Sequence, residues 1–223
     1  MRGRPILFNT EMVQAILVGR KTCTRRIVKP QPKTRLCYTF AGGGCGTWGY
    51  PSPSAHEIWG EEYKLPDDIT KDDLEKQWNP PCHTDDILYV RETWCSAYDG
   101  EKYFYLADKL TNREERSLLN YDDVKWHPSI HMPKEAARIW LKATDVRVER
   151  LQEIDIDGIR NEGLSSAAVH CGDMEIALKE WEILWNSTIK KSELDRYGWS
   201  ANPWVWVIEF EWCEKPGKEN IND

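Results

Sequence analysis

No apolar run in this chain approaches the ~18 residues a membrane-spanning helix needs, and residues 1–10 contain only the three-residue stretch Ile6–Phe8. A secretory leader requires a longer apolar segment than that, so the expectation is a soluble cytoplasmic protein. A disulfide framework is excluded on similar grounds. The seven cysteines (23, 37, 45, 82, 95, 171 and 213) are odd in number and irregularly spaced, which fits reduced thiols. No Cys-x-x-Cys pair occurs, so a zinc site built from Cys37, Cys45, His56, Cys82 and His83 has little support beside the plainer reading of loop thiols. The run Gly42-Gly43-Gly44-Cys45-Gly46 lacks the Lys-Ser/Thr ending of a phosphate loop and the strand–helix setting of a dinucleotide site. His127 and His131 have the i, i+4 spacing of a helical metal pair, but Pro128 and Pro133 oppose a regular helix there. No cofactor and no metal are expected, and no internal repeat is present.

Acid is nearly absent from residues 1–35, where nine Lys/Arg stand against Glu11 alone, giving +8 in a chain whose net charge is −7. The remaining residues carry −15. Such asymmetry suits an anion held at one face while the rest of the surface repels polyanions, which favours a nucleotide or short nucleic-acid segment over coating of duplex DNA. The densest cluster is Gly19-Arg20-Lys21-Thr22-Cys23-Thr24-Arg25-Arg26. Twelve Trp and nine Tyr require rings in the core and supply candidates for stacking on bases.

Apolar periodicity predicts a strand at Ile6–Phe8, then a helix capped by Asn9 or Thr10 with Met12, Val13, Ile16 and Leu17 on one face and Gly19 at its end. Thr22–Val28 reads as a strand projecting Thr24 and Arg26 from one face, with Lys21 at the corner before it. Residues 30–85 read as a loop-rich insertion with an acidic patch from Glu57 to Glu75. Ile87–Trp94 reads as a central strand, Lys102–Ala107 as its partner and Ile139–Leu151 as a long strand. Ile154–Glu162 is a short helix closed by Gly163, and Met174–Trp185 a clear amphipathic helix. Pro203–Trp212 closes the domain as a strand, with Trp204, Trp206, Ile208, Phe210 and Trp212 on one face and Val205, Val207, Glu209 and Glu211 on the other. The sum is one α+β domain over residues 4–213, most economically a small β-barrel with helices at its mouth, followed by a polar tail at 214–223.

Gly19-x-Lys21-x-x-Thr24-x-Arg26 resembles the Gly-x-Lys-x-x-Glu-x-Arg signature of the ASCH domain superfamily, with Thr24 as a departure. The resemblance implies a PUA-like β-barrel with a cleft for nucleic acid. The Thr matches small bacterial ASCH proteins that act as N(4)-acetylcytidine amidohydrolases, in which a Lys, a Thr and a Glu are the implied catalytic set. The Glu falls on Glu162 of Asn161-Glu162-Gly163, which resembles the Glu-Gly step after the long strand of ASCH domains. Val90-Arg91-Glu92-Thr93-Trp94, Pro128–Pro133, Asp145-Val146-Arg147-Val148-Glu149-Arg150-Leu151 and Gly198–Phe210 resemble the longer ASCH proteins of phages and prophages, which implies a bacterial host cytoplasm.

On chemical grounds Lys21 and Thr24 need mutual activation to attack an amide, since a hydroxyl is a poor nucleophile without a neighbouring base, and Glu162 is placed to protonate a departing amine. The blander reading has Lys21 contacting a phosphate and Thr24 a base. Arg20, Arg25 and Arg26 are candidates for holding a nucleotide. So are Arg91, Trp94 and His131, with a buried pair of an Arg with Glu92 or an aspartate as the structural alternative at Arg91. The expected partner is RNA, single-stranded nucleic acid or a modified nucleoside. Recognition of such a ligand leads, amidohydrolysis of an N(4)-acylcytidine is the alternative, and ribonuclease action or binding of a host factor by a phage protein stands behind both.

Overall fold

The computed structural model describes residues 3–31, 37–40, 46–49, 79–97, 102–108 and 125–216. Their core is a five-stranded mixed sheet in the order β1-β5-β8-β9-β2, formed by Arg4–Leu7 (β1), Ile87–Arg91 (β5), Trp140–Arg150 (β8), Trp204–Trp212 (β9) and Cys23–Ile27 (β2). β1 and β5 run parallel and the other neighbours antiparallel. Cys37–Phe40 (β3) and Gly46–Gly49 (β4) form a hairpin flanking the glycine run that the sequence presents as loop. Trp94–Ala97 (β6) and Lys102–Tyr105 (β7) form a second one.

Side-chain alternation along β9 divides the molecule into two layers. Ile208 and Phe210 join Ile6, Leu88, Val90, Leu141 and Ala143 in one cluster, against which Val13 and Ile16 of the helix Thr10–Leu17 (α1) pack. Val205 and Val207 project the other way into a cluster with Ile159, Val169, Trp181 and Trp185. Those four belong to the helices Ile156–Asn161 (α2), Ala167–Cys171 (α3) and Met174–Ser187 (α4). These helices therefore cover one face of the sheet, while α1 closes the other. Leu194–Tyr197 (α5) follows α4 and receives the indole N–H of Trp185 at the Tyr197 carbonyl, 2.8 Å away.

Sheet edges β1 and β2 are not joined by backbone hydrogen bonds among the described residues, so the expected barrel closure is not found. The two edges nonetheless approach: the Arg26 guanidinium of β2 donates to the Leu7 carbonyl of β1 at 2.7 Å. The expected strand Ile87–Trp94 is also corrected, because the ladder ends at Arg91. Glu92 turns inward, 1% exposed, its N–H directed at Met132 Sδ and its carboxylate taken by Arg138 at 2.9 and 3.0 Å. Trp94 then starts β6.

Candidate functional site

Asn9 caps α1 through its side chain on Met12 N–H, and Gly19 at φ +72° ends the helix in the left-handed region. The chain turns back at once, with the N–H groups of Arg20 and Lys21 both on the Ala15 carbonyl at 2.8 and 3.1 Å. The corner so formed meets the turn after α2 in three successive links. The Arg20 guanidinium donates to the Gly163 carbonyl, Lys21 Nζ donates to Glu162 Oε2 (2.6 Å) and to the Glu162 carbonyl (2.9 Å), and Thr22 N–H donates to the Asn161 carbonyl (2.8 Å). Residues 141 positions apart are thereby fixed against each other, with the Lys21 side chain 0% and the Glu162 side chain 2% exposed. Gly163 (φ +100°) is needed here, because a Cβ would stand 2.9 Å from Ala15 Cβ and 3.1 Å from Lys21 Cβ.

Along β2 the alternation separates the expected ligand-binding residues. Thr24 and Arg26 face the α1 side, Thr24 in register with Ile208. Cys23, Arg25 and Ile27 face the helices. Arg25 is consequently an internal partner, with Nη1 3.4 Å from Glu162 Oε1 and Nη2 3.2 Å from Glu149 Oε2. Burial and the Glu162 charge push the Cys23 thiol up to about 12, against the opposing pull of Lys21 and Arg25, so Cys23 is no thiolate nucleophile at neutral pH.

On the Thr24 side, Lys21 Nζ lies 5.6 Å and Arg26 Cζ 5.2 Å from the centroid of Phe8, so two cations flank one ring. Desolvation lowers the Arg26 pKa, Glu162 opposing the shift. Arg26 also borders a cavity of about 310 Å³ in the gap between the two sheet edges, walled by Ile6, Leu7, Leu88 and Ile208 and roofed by Pro81 and Cys82. Thr24 is itself buried, 2% exposed, and does not line this cavity. A second cavity of about 300 Å³ opens beside Glu162 and Gly163 on the α1 and α4 side, with Arg20 and Met12 in its wall.

Arg91, Trp94 and His131 form a separate group. Arg91 shares with Tyr89 the face of β5 opposite Leu88 and Val90, lying 5.7 Å from the Tyr89 ring and donating to the Ile130 carbonyl at 3.2 Å. Its expected acidic partner, Glu92, belongs instead to Arg138. Trp94 stacks on His127 (5.0 Å) and meets Tyr103 (5.7 Å), and His131 is exposed in a single 3₁₀ turn. No group of three or more metal-ligating residues exists among the described residues. Of the zinc candidates, Cys82 is buried, His83 is exposed, and Cys45, His56 and the Cys37 side chain lie outside the described residues.

Two residues of the site escape a reading of the sequence. Phe8 carries no signal beyond its apolar run. Glu149 does carry one: with Asp145 and Arg147 it puts three charges at alternate positions of a strand, a pattern a buried face does not tolerate without partners. Compared with protein-family models, curated proteins and solved structures, the chain finds no match in any of the three. No described helix is long and apolar enough to cross a membrane.

Proposed function

We propose that this chain is an ASCH-type, PUA-like domain that binds a nucleobase, as a modified nucleoside or as an unstacked base of RNA or single-stranded DNA, in the cavity between β1 and β2. One observation carries the reading: Lys21, held by the distant Glu162 at 2.6 Å, shares the Phe8 ring with Arg26, and Arg26 lines the cavity. The contact of Arg26 with the Leu7 carbonyl, which brings the two edge strands of one sheet together, supports the PUA-like assignment. A cavity near 310 Å³ lies at the lower end of small-ligand sites, and its make-up of apolar walls with a few polar groups suits a flat heterocycle. The ring stacks against Ile208 and Pro81, while Arg26 of the lining addresses an acceptor on its edge and Thr24, buried behind that lining on the same face of β2, adds its hydroxyl. Extruding a base into such a pocket is how proteins reach bases that are otherwise stacked.

A second reading, amidohydrolysis of N(4)-acylcytidine with Thr24 as nucleophile, is favoured by the contact of Lys21 with Glu162. As an ammonium paired with a carboxylate Lys21 offers donors and no lone pair. Proton transfer to Glu162 across 2.6 Å would free the amine to take the Thr24 proton as its oxygen attacks the acyl carbon. Glu162 as a carboxylic acid would then protonate the departing amine of cytosine, and water, deprotonated by the resulting carboxylate, would take the acyl group from Thr24 as the free acid while Glu162 returns that proton to the Thr24 oxygen.

Tryptophan fluorescence titration with cytidine, N(4)-acetylcytidine and a single-stranded RNA decamer tests the proposal. Saturable binding that Arg26→Gln and Thr24→Val weaken, and that salt weakens for the decamer, is the expected result. Absence of saturable binding to all three refutes it. Release of cytidine from N(4)-acetylcytidine, abolished by Lys21→Ala, Thr24→Ala and Glu162→Ala each, would establish the second reading.

A further inference from the structure

Asp145, Arg147 and Glu149 alternate along β8, so strand geometry sends all three to one face. Arg147 is in register with Val207 of β9, which is in register with Arg25 of β2, so this is the face the helices cover. Glu149 bridges the two arginines. Its Oε2 lies 3.2 Å from Arg25 Nη2, and its Oε1 accepts from Arg147 Nε at 2.7 Å. Arg147 Nη1 is held in turn by Asp145 and by Glu209 of β9, each at 2.6 Å. A string of alternating charge therefore runs Lys21, Glu162, Arg25, Glu149, Arg147, from a side chain shut off from solvent to one that is 36% exposed.

The inner end of this string is unbalanced without Glu149. Lys21 and Arg25, whose side chains are 0% and 3% exposed, share the single carboxylate of Glu162. An unmatched charge at such depth is strongly unfavourable. The second anion is Glu149, 15% exposed, and its other oxygen is pinned by Arg147. We propose that Glu149 is a positioning residue: by neutralising Arg25 it leaves the Glu162 carboxylate on Lys21, and so fixes the ammonium beside the Phe8 wall. Without that charge Glu162 is the one carboxylate among the described residues left on Arg25, which draws it away from Lys21. The role concerns the ion pairs themselves. It rests on the nucleobase reading only where ligand affinity is measured.

The full chain is compared with Glu149→Gln, Arg25→Gln and the double variant by two readouts, cytidine affinity and the ¹H–¹⁵N signal of the Lys21 ammonium. In the parent protein that signal is expected to be protected from solvent exchange, since two acceptors hold a fully covered Nζ. Glu149→Gln should broaden it away and weaken cytidine binding by about five- to tenfold, a coupling normal for members of one ion-pair network. Adding Arg25→Gln removes the competing cation and should restore both, and Glu149→Asp should lie in between. A signal unchanged in Glu149→Gln, or a double variant worse than either single one, overturns the proposal. Should Glu149→Gln fail to fold, a folded double variant supports it and an unfolded one overturns it. If the Lys21 signal follows this series while the parent protein binds no cytidine, the nucleobase reading fails and the positioning role stands.

Discussion

Replacing Gly163 by alanine probes the weld between the Lys21 corner and the turn after α2. At φ +100° an alanine is strained whatever surrounds it, at about 1–2 kcal/mol. Its Cβ would also stand 2.9 Å from Ala15 Cβ and 3.1 Å from Lys21 Cβ. Neither is the tip of a flexible chain, so α1 or the turn must shift, which adds about 1–3 kcal/mol. The sum is about 2–5 kcal/mol, and at ~2–4 °C per kcal/mol for a chain of this size a drop in Tm of about 10 °C follows. Gly19→Ala is the internal control, because Gly19 also has positive φ (+72°) but a Cβ there would meet nothing within 4 Å. Only the backbone cost of about 1–2 kcal/mol should appear in that variant. Thermal unfolding followed by circular dichroism gives both numbers. Equal losses in the two variants would refute the close approach of Gly163 to Lys21 and Ala15.

Lys21→Met should cost about 3–5 kcal/mol, since it leaves a buried Glu162 without its nearest cation, whereas Lys21→Met with Glu162→Leu should recover much of that loss; denaturant unfolding of the three proteins measures it, and additive losses would contradict an ion pair. The Cys23 thiol, pushed up to about 12 in the folded chain from an ordinary 9.0, gives a pH test. An unfolded chain releases this proton near pH 9 while the folded chain keeps it, so the contribution is fully present below about pH 9 and is lost as pH rises toward 12. Between those limits the parent protein should lose up to about 1.4 kcal/mol per pH unit more than Cys23→Ala; parallel stability curves would exclude it. In the native protein at pH 7.5, iodoacetamide should label exposed Cys171 well ahead of buried Cys23, Cys82 and Cys95, as peptide mass spectrometry can read; early labelling of Cys23 would contradict its burial.

What the sequence makes legible here is what repeats over short distances. Asn9 as a cap, the stripe Ala177, Trp181 and Trp185, and the division of β9 into Ile208 and Phe210 against Val205 and Val207 all follow from periods of 3.6 or 2. Alternation likewise puts Thr24 with Arg26, and the same rule sends Arg25 to the opposite face, so a motif that looks like one cationic cluster is split between two layers. The approach of Lys21 to Glu162 has no local signature. Only the likeness of two short motifs to ASCH proteins suggests it, because periodicity alone does not pair residues so far apart. The break after Arg91 is hidden for the opposite reason: Val90-Arg91-Glu92-Thr93-Trp94 has an extended pattern throughout, and only the distant Arg138 and Met132 make Glu92 leave the ladder. The open gap between β1 and β2 is equally illegible, since strand closure depends on the curl of the whole sheet.

A crystal structure of the protein soaked with N(4)-acetylcytidine tests the central claim most directly. The account predicts the pyrimidine ring between Ile208 and Pro81, with Arg26 and Thr24 Oγ1 within hydrogen-bond distance of its edge. A ring lodged instead on the Arg91 and Trp94 side of β5, or an Arg26 still closed on Leu7 with no nucleoside in the gap at saturating concentration, would contradict it.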